Sequence, residues 1–465
     1  MTDNNKPSLK TNQGLLSTIG KVSTFSLPII CNQLLGILPT LASMWILSRL
    51  GKDYIASAGL AAPTFYTILT VFVTGFYAVG IKIGHSFGED NKSDEIGLWF
   101  RNGLVLALLL CIPAIVIFLN VDALLLLLGQ DPHLVALARP FFQFGALAII
   151  PMLINSVFNQ YFTGIGHPKI AFFLSLITLP LIIALSYGLV LGEWGLPKLA
   201  MGGINLASFI VDVLMTFTAI GIALVAKWSK PFKVFSKPSR LSYKRCLALF
   251  QLGWPIAVQI SGELAAMTAV AYLLGLFGAS ALAAAQITGQ YAMLFVMISL
   301  GLSSGVSILV SHARGEKNSE QIKTLTLAGV ILIIVITLVF AIGFLAFPTT
   351  LVDIYLNIHH PAHSQLVHLA VYFMMVAVVY IAFDGIRNVL TNVLRGMQDS
   401  KVPMQIGVSC IWLIGLPCAY FAGFLWPGGP IALRFGFVLG VVVATVAIIL
   451  RIRKKMASLG SLYNG

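Results

Sequence analysis

The chain has 465 residues, of which 58% are hydrophobic and only 10% charged, and its mean hydropathy is +0.93. A water-soluble globular domain of this length does not carry that composition, so the sequence specifies a polytopic membrane protein. The formal net charge of +13 invites a nucleic-acid partner, but the placement of the basic residues argues for a lipid surface instead.

Apolar runs long enough to cross a hydrocarbon core of ~30 Å fall at 23–48, 58–86, 99–119, 136–162, 169–192 and 200–226, then at 247–276, 280–311, 323–347, 364–394, 403–425 and 430–450. Twelve helices result, which makes this an all-α membrane protein. The polar start MTDNNKPSLKTNQ is followed by no short apolar stretch with a small-residue cleavage site, so a removable signal is not expected.

With a cytoplasmic N-terminus, the cytoplasmic side receives Lys6, Lys10, Lys21, Lys92, Arg101, Lys169, Arg314, Lys317, Lys323, Arg395, Lys401, the tail RIRKK and the run KWSKPFKVFSKPSRLSYKR at 227–245. The other side receives little beyond Arg49, Lys52, Arg139 and Lys198. This asymmetry places both termini in the cytoplasm and the protein in the inner, or cell, membrane. Trp228, Phe232 and Phe235 interleave the basic run as in a single-strand binder; a linker lying on anionic headgroups is the expected reading, with no nucleic-acid partner.

Cys31, Cys111, Cys246, Cys410 and Cys418 are scattered without metal spacing and read as small core residues. The segment IHHPAHSQLVH carries His359, His360, His363 and His368; metal binding or pH sensing is open to it, and a solvated loop is the expected reading. No Gly-rich phosphate loop, nucleophile elbow or HExxH pattern occurs, so neither an enzyme nor a resident metal or cofactor is expected.

The chain is internally repeated. At an offset of 227 residues, Pro28 aligns with Pro255, Gly51 with Gly278, and HSFGEDN at 85–91 with HARGEKN at 312–318. Two six-helix bundles follow, and because six is even both have the same orientation, related by a pseudo-two-fold axis along the membrane normal. The expected organisation is a tail at 1–22, a first lobe at 23–226, a linker at 227–245, a second lobe at 246–452 and a tail at 453–465.

Within the second lobe, YIAFDGIRNVL places Asp384 and Arg387 inside an apolar helix. A charge at mid-bilayer costs roughly 2.5–3.5 kcal/mol on insertion scales, so an intramembrane carboxylate points to function. Three residues apart on one helical face, the two can also simply neutralise each other. Glu263 supplies a second intramembrane carboxylate. Two carboxylates in a low-dielectric cavity can hold a desolvated sodium ion through hard oxygen ligands or share a proton. Tyr380, one turn before Asp384, adds an oxygen on the same face.

The segments FQLGWPIAVQISGE, LGLFGASALAAAQIT, SHARGE and FDGIRNVLTNVLRGMQDSKVPM, with FSLPIICNQ, SRLGKDYIASAGLA and NQYFTGIGHPK in the first half, resemble the multidrug and toxic compound extrusion (MATE) transporters, most closely their NorM branch. The resemblance spans essentially the whole chain. It implies two six-helix bundles in a V and export of small organic drugs or dyes, organic cations above all, in exchange for sodium ions or protons. It also implies that Glu263, Asp384 and Tyr380 bind the coupling cation. A monomer in the lipid bilayer is expected.

At the repeat offsets Glu263 faces Gly36, and Met152 faces Asp384. The acidic pair belongs to the second half alone, so the shared fold does not require it. Where many relatives carry an aspartate in helix one, this chain has Ser43, and the helix-five asparagines are replaced by Thr178 and Ile182. Arg387 departs from the family as well: a fixed cation beside Asp384 would compete with a bound sodium ion or cationic substrate and would tune coupling, release the ion, or favour an anionic or zwitterionic substrate. Asp212 is a candidate replacement for the missing first-lobe carboxylate. Gln286 and Gln290, one turn apart, are candidate cavity contacts. Lys82 and Arg434 are expected to snorkel to the two surfaces. Other readings are a lipid-linked precursor flippase of the same superfamily and a membrane-embedded lipid-modifying enzyme.

Overall fold

A computed structural model of the chain describes residues 14–89, 93–235, 242–355, 364–426 and 428–463. Among the described residues, twelve helices are long and apolar enough to cross a membrane. They are α1 (Leu15–Ser48), α2 (Lys52–Gly88), α3 (Ser93–Leu119), α4 (Pro132–Gly164), α5 (Pro168–Leu191) and α6 (Gly202–Val225), then α7 (Tyr243–Gly275), α8 (Ala279–Gly315), α9 (Ser319–Ala346), α10 (Ser364–Gly396), α11 (Lys401–Leu425) and α12 (Gly429–Ser458). Each matches a predicted run. The largest differences are at the two outer ends: the first helix begins at Leu15 rather than 23, where Leu15 to Val22 are amphipathic rather than apolar, and the twelfth runs on through the basic RIRKK to Ser458 rather than ending at 450; a hydropathy reading passes over such turns. Leu108, Leu109, Ile112 and Val116 stand out from α3 as a lipid-facing stripe.

The repeat is built into the backbone. The ends of α2 and α8 lie 227 residues apart, and each helix is entered through a glycine with positive φ, Gly51 at +119° and Gly278 at +102°. An L side chain rarely adopts that conformation, so the turn fixes glycine at both places. The ends of α4 and α10 are likewise 232 residues apart.

The two apolar cores exchange their first helices. One core runs from Ile46 to Phe65 and on to Leu249, Leu252 and Ile256 of α7; the other holds Val22 of α1 together with Ala266 through Ile452. Val22 and Leu249 are repeat equivalents. Each lobe therefore receives the first part of the other's leading helix, as far as the neighbourhood of Pro28 and Pro255, which sit inside α1 and α7 and weaken the helical ladder there.

The lobes meet where α2 crosses α8. A side chain on Gly88 would fall on the backbone of His312, and one on Gly315 on the backbone of His85 and Gly88. These two contacts are images of each other under the repeat, so the pseudo-two-fold axis passes through the crossing. Ser26 adds a hydrogen bond to the Leu302 carbonyl at 3.5 Å. Backbone cannot yield as a flexible side chain can. Gly88→Val and Gly315→Val are each expected to open this end, and spin labels on exposed Asp94 and Glu320 should move apart. An unchanged label distance would show that the helices slide without separating.

Two sequence expectations are corrected here. Lys82 does not simply snorkel: its Nζ donates to Gln398 Oε1 of the second lobe at 2.7 Å and lies 5.3 Å from the Trp99 ring, tying the lobes together. Arg434 turns inward, donating to the Ala285 carbonyl at 3.3 Å with its guanidinium 4.2 Å over the Phe373 ring, because an aromatic face and a second lone pair on a helix carbonyl satisfy a cation inside the bundle. The linker aromatics make ring contacts with the first lobe: Trp228 on His167 (4.6 Å), Phe232 on Phe87 (6.3 Å) and Phe235 on Phe100 (6.0 Å), with Ser229 hydrogen-bonded to Tyr161 at 2.7 Å. Burial under Trp228 holds the His167 pKa below the usual histidine value. Of the histidine segment, His359, His360 and His363 lie outside the described residues, while His368 stacks on Tyr372 at 4.7 Å.

Candidate functional site

Glu263 lies two turns beyond Pro255 on α7, and Asp384, Arg387 and Asn388 share one face of α10 at i, i+3 and i+4. The helices bring the two carboxylates around one guanidinium. Arg387 Nη1 and Nη2 donate to the two oxygens of Glu263 at 2.5 and 2.9 Å, a bidentate fork, and Nη2 also donates to Asp384 Oδ1 at 2.6 Å. Asn388 donates to Asp384 Oδ2 at 2.9 Å, and Gln259, one turn before Glu263, donates to Glu263 Oε1 at 3.0 Å. All four carboxylate oxygens are engaged. Arg387 and Asp384 are about as buried as any residue in the core, while the Glu263 side chain is 21% exposed, so the cluster opens on the Glu263 side.

Formally the three ionised groups sum to one negative charge. The guanidinium lies between the two carboxylates as a tethered cation. Tyr380 stands one turn before Asp384 and is partly buried, but its hydroxyl makes no hydrogen bond to either carboxylate. The indole of Trp412 closes the α11 side, donating to the Gly262 carbonyl at 3.0 Å from the π segment Ile411–Gly415. A π turn re-aims the side chains it carries.

A polar cavity lies at the lobe interface beside the α2–α8 crossing, and both lobes line it. Asn32 and Gln33 come from α1, Asn159 and Gln160 from α4, and Asn392 and Arg395 from α10. At the 232-residue offset Gln160 is the equivalent of Asn392 and Thr163 of Arg395; at 227, Asn32 is the equivalent of Gln259. The cavity therefore straddles the pseudo-two-fold axis. Arg395, counted by charge alone among surface residues, is 3% exposed here. Its Nη2 donates to Gln259 Oε1 at 2.9 Å and its Nη1 to Asn392 Oδ1 at 3.4 Å.

A second cavity lies inside the first lobe, lined by Ser43, Met152, Ile182, Asn205 and Ser208 among others and, among the described residues, by no carboxylate. Met152, the repeat equivalent of Asp384, places this cavity where the second lobe keeps its charged cluster. Asp212 lines neither cavity; Asn155 donates to its backbone carbonyl at 3.0 Å and to Oδ1 at 3.3 Å between α4 and α6. Gln286 and Gln290 are exposed and also line neither. Sequence reasoning passed over Gln259, Asn388 and Arg395. The signals available were the one-turn spacing of Gln259 before Glu263 and the amide pairs Asn32–Gln33 and Asn159–Gln160 inside apolar helices.

A family model described as MatE matches residues 28–188 and again 255–421, once in each lobe. The probable multidrug resistance protein NorM of Pseudomonas putida is 30% identical over 425 residues, covering 90% of this chain and 91% of that protein. Among solved structures, a MATE protein in its bent conformation superposes with a TM-score of 0.87 at 17% identity, covering 98% of this chain and 100% of the other. The eukaryotic MATE transporter AtDTX14 gives 0.81 at 18% identity, covering 97% and 100%. The repeated match, one copy per bundle, and the full-length relatives place this chain in the MatE family of multidrug and toxic compound extrusion transporters.

Proposed function

We propose that this protein is a secondary antiporter that exports small organic compounds by alternating access, driven by a sodium ion or proton entering at Glu263 and Asp384. The observation that carries the reading is the buried acidic pair of the second lobe, held by Arg387 with one negative charge in excess and joined through Gln259 to the inter-lobe cavity. The family and the names of the NorM relatives support efflux of drugs or dyes. The basic residues support an inner-membrane orientation with both termini and the linker cytoplasmic, which makes the sealed α2–α8 crossing the cytoplasmic gate and this conformation outward-facing. An incoming cation shares the carboxylates with Arg387, the lobes rock about the axis through Gly88 and Gly315, and the cavity changes sides. One charge moving through 100 mV supplies about 2.3 kcal/mol, enough for roughly a fifty-fold substrate gradient.

Dye efflux from reconstituted vesicles, with sodium and proton gradients imposed one at a time, is expected to respond to one of them; transport indifferent to both would remove the antiport reading. For orientation, cysteines placed at Lys233 and Lys317 should react with impermeant reagents only from the cytoplasm and one at His360 only from outside. Labelling of the His360 position from the cytoplasm would refute the arrangement.

A further inference from the structure

The inter-lobe cavity carries a buried cation that makes no direct ion pair among the described residues. Arg395 is 3% exposed, its two hydrogen-bonded partners are the neutral amides of Gln259 and Asn392, and its Nε is buried with no hydrogen-bond partner among the described residues. Among the described residues no carboxylate lines the cavity. The nearest acid along the hydrogen-bond chain is Glu263, reached through Gln259 and already held by both ends of the Arg387 fork. A buried guanidinium satisfied only by amides bears a desolvation cost that a counter-anion would offset. The repeat shows that the fold does not require this charge, because Thr163 fills the equivalent place in the first lobe and faces the same cavity. Amides at Asn32, Gln33 and Gln160 complete a surface rich in hydrogen-bond donors and poor in negative charge.

We infer that Arg395, with Asn392 and the facing amides of Gln33 and Gln160, forms a subsite for an anionic oxygen group, a carboxylate or a phosphate, carried by the transported solute. The inference rests on the reading that this cavity carries the solute, and it names the chemistry of one end of that solute. A guanidinium presents paired N–H donors in the geometry of such groups. Gln259 gives the subsite a line to the ion cluster: the same amide accepts from Arg395 and donates to Glu263. A solute anion that draws the guanidinium toward itself loosens the hold of Gln259 on Glu263, so solute and coupling ion act on one hydrogen-bond chain.

The test uses a matched pair of xanthene dyes, one with a free carboxylate and the other its ethyl ester, on purified full-length protein in detergent and on proteoliposomes. The wild type is expected to bind the free acid at least about tenfold more tightly than the ester, and Arg395→Gln should collapse that ratio toward one while Arg395→Lys keeps part of it. Displacement by benzoate points to a carboxylate and displacement by phenyl phosphate to a phosphate, with benzamide as the uncharged control. Should neither variant fold, benzoate or phenyl phosphate must raise the unfolding temperature of the wild type where benzamide does not. Equal binding of acid and ester by the wild type, or a preference that survives Arg395→Gln, overturns the subsite. Arg395-dependent binding without dye movement in vesicles would leave the subsite standing and overturn the transport reading instead.

Discussion

Arg387→Gln is expected to lower the half-saturating concentration of the coupling cation by about tenfold or more and to slow turnover by a similar factor. In the wild type the guanidinium engages Glu263 at 2.5 and 2.9 Å and Asp384 at 2.6 Å, so an arriving ion competes with a tethered cation that never leaves. Glutamine keeps hydrogen-bonding capacity but removes the charge, and two neighbouring carboxylates cannot easily both remain ionised without a proton or metal ion between them. A tenfold gain needs only about 1.4 kcal/mol, well below the roughly 3–5 kcal/mol at stake when one partner of a buried ion pair is removed. The same tightness retards release, which is why turnover falls. The measurement is transport rate against cation concentration at fixed membrane potential. Arg387 is 2% exposed and does not line the inter-lobe cavity, so solute affinity should change little. A variant that loses solute affinity while keeping its ion dependence would move Arg387 from the coupling cluster to the solute site.

Glu263→Gln and Asp384→Asn are each expected to abolish ion-driven efflux while leaving folded, inserted protein. Either change removes the excess negative charge, and the remaining carboxylate with Arg387 forms a neutral pair that has no electrostatic demand for an ion. Each single variant keeps one partner for the guanidinium and so keeps the fold. The double variant strands Arg387 in the second-lobe core, at a cost on the order of 3–5 kcal/mol, and the yield of folded protein should drop sharply. Adding Arg387→Met to the double variant should restore the yield without restoring transport. Gradient-driven efflux at the wild-type rate in both single variants would sink the coupling assignment.

The residues that the sequence singled out by chemistry and those that the fold brings together overlap only in part. Glu263 and Asp384 are legible as carboxylates in apolar runs, and Arg387 is legible beside Asp384. Their meeting is not, because 121 positions separate Glu263 from Asp384 and no periodicity relates α7 to α10. Asp212 is equally conspicuous in sequence yet is held by Asn155 between α4 and α6. Arg395 is the opposite case: by charge it belongs with Lys401 at the membrane surface, and only the convergence of α1, α4, α8 and α10 makes it a buried residue at the lobe interface.

By itself the sequence determined what depends on local composition and on repetition. Twelve apolar runs follow from hydrophobic transfer, which each segment registers independently of the others, and the 227-residue repeat from residues that recur at one offset. Tertiary structure decided what depends on two helices touching. It exchanged the first turns of α1 and α7 between the cores, set Gly88 and Gly315 at the axis, tied Lys82 to Gln398, and closed the Glu263, Arg387 and Asp384 cluster. Inside a bilayer a polar side chain must find its partners within the protein, and which partner it finds is fixed by helix crossings that no single segment encodes.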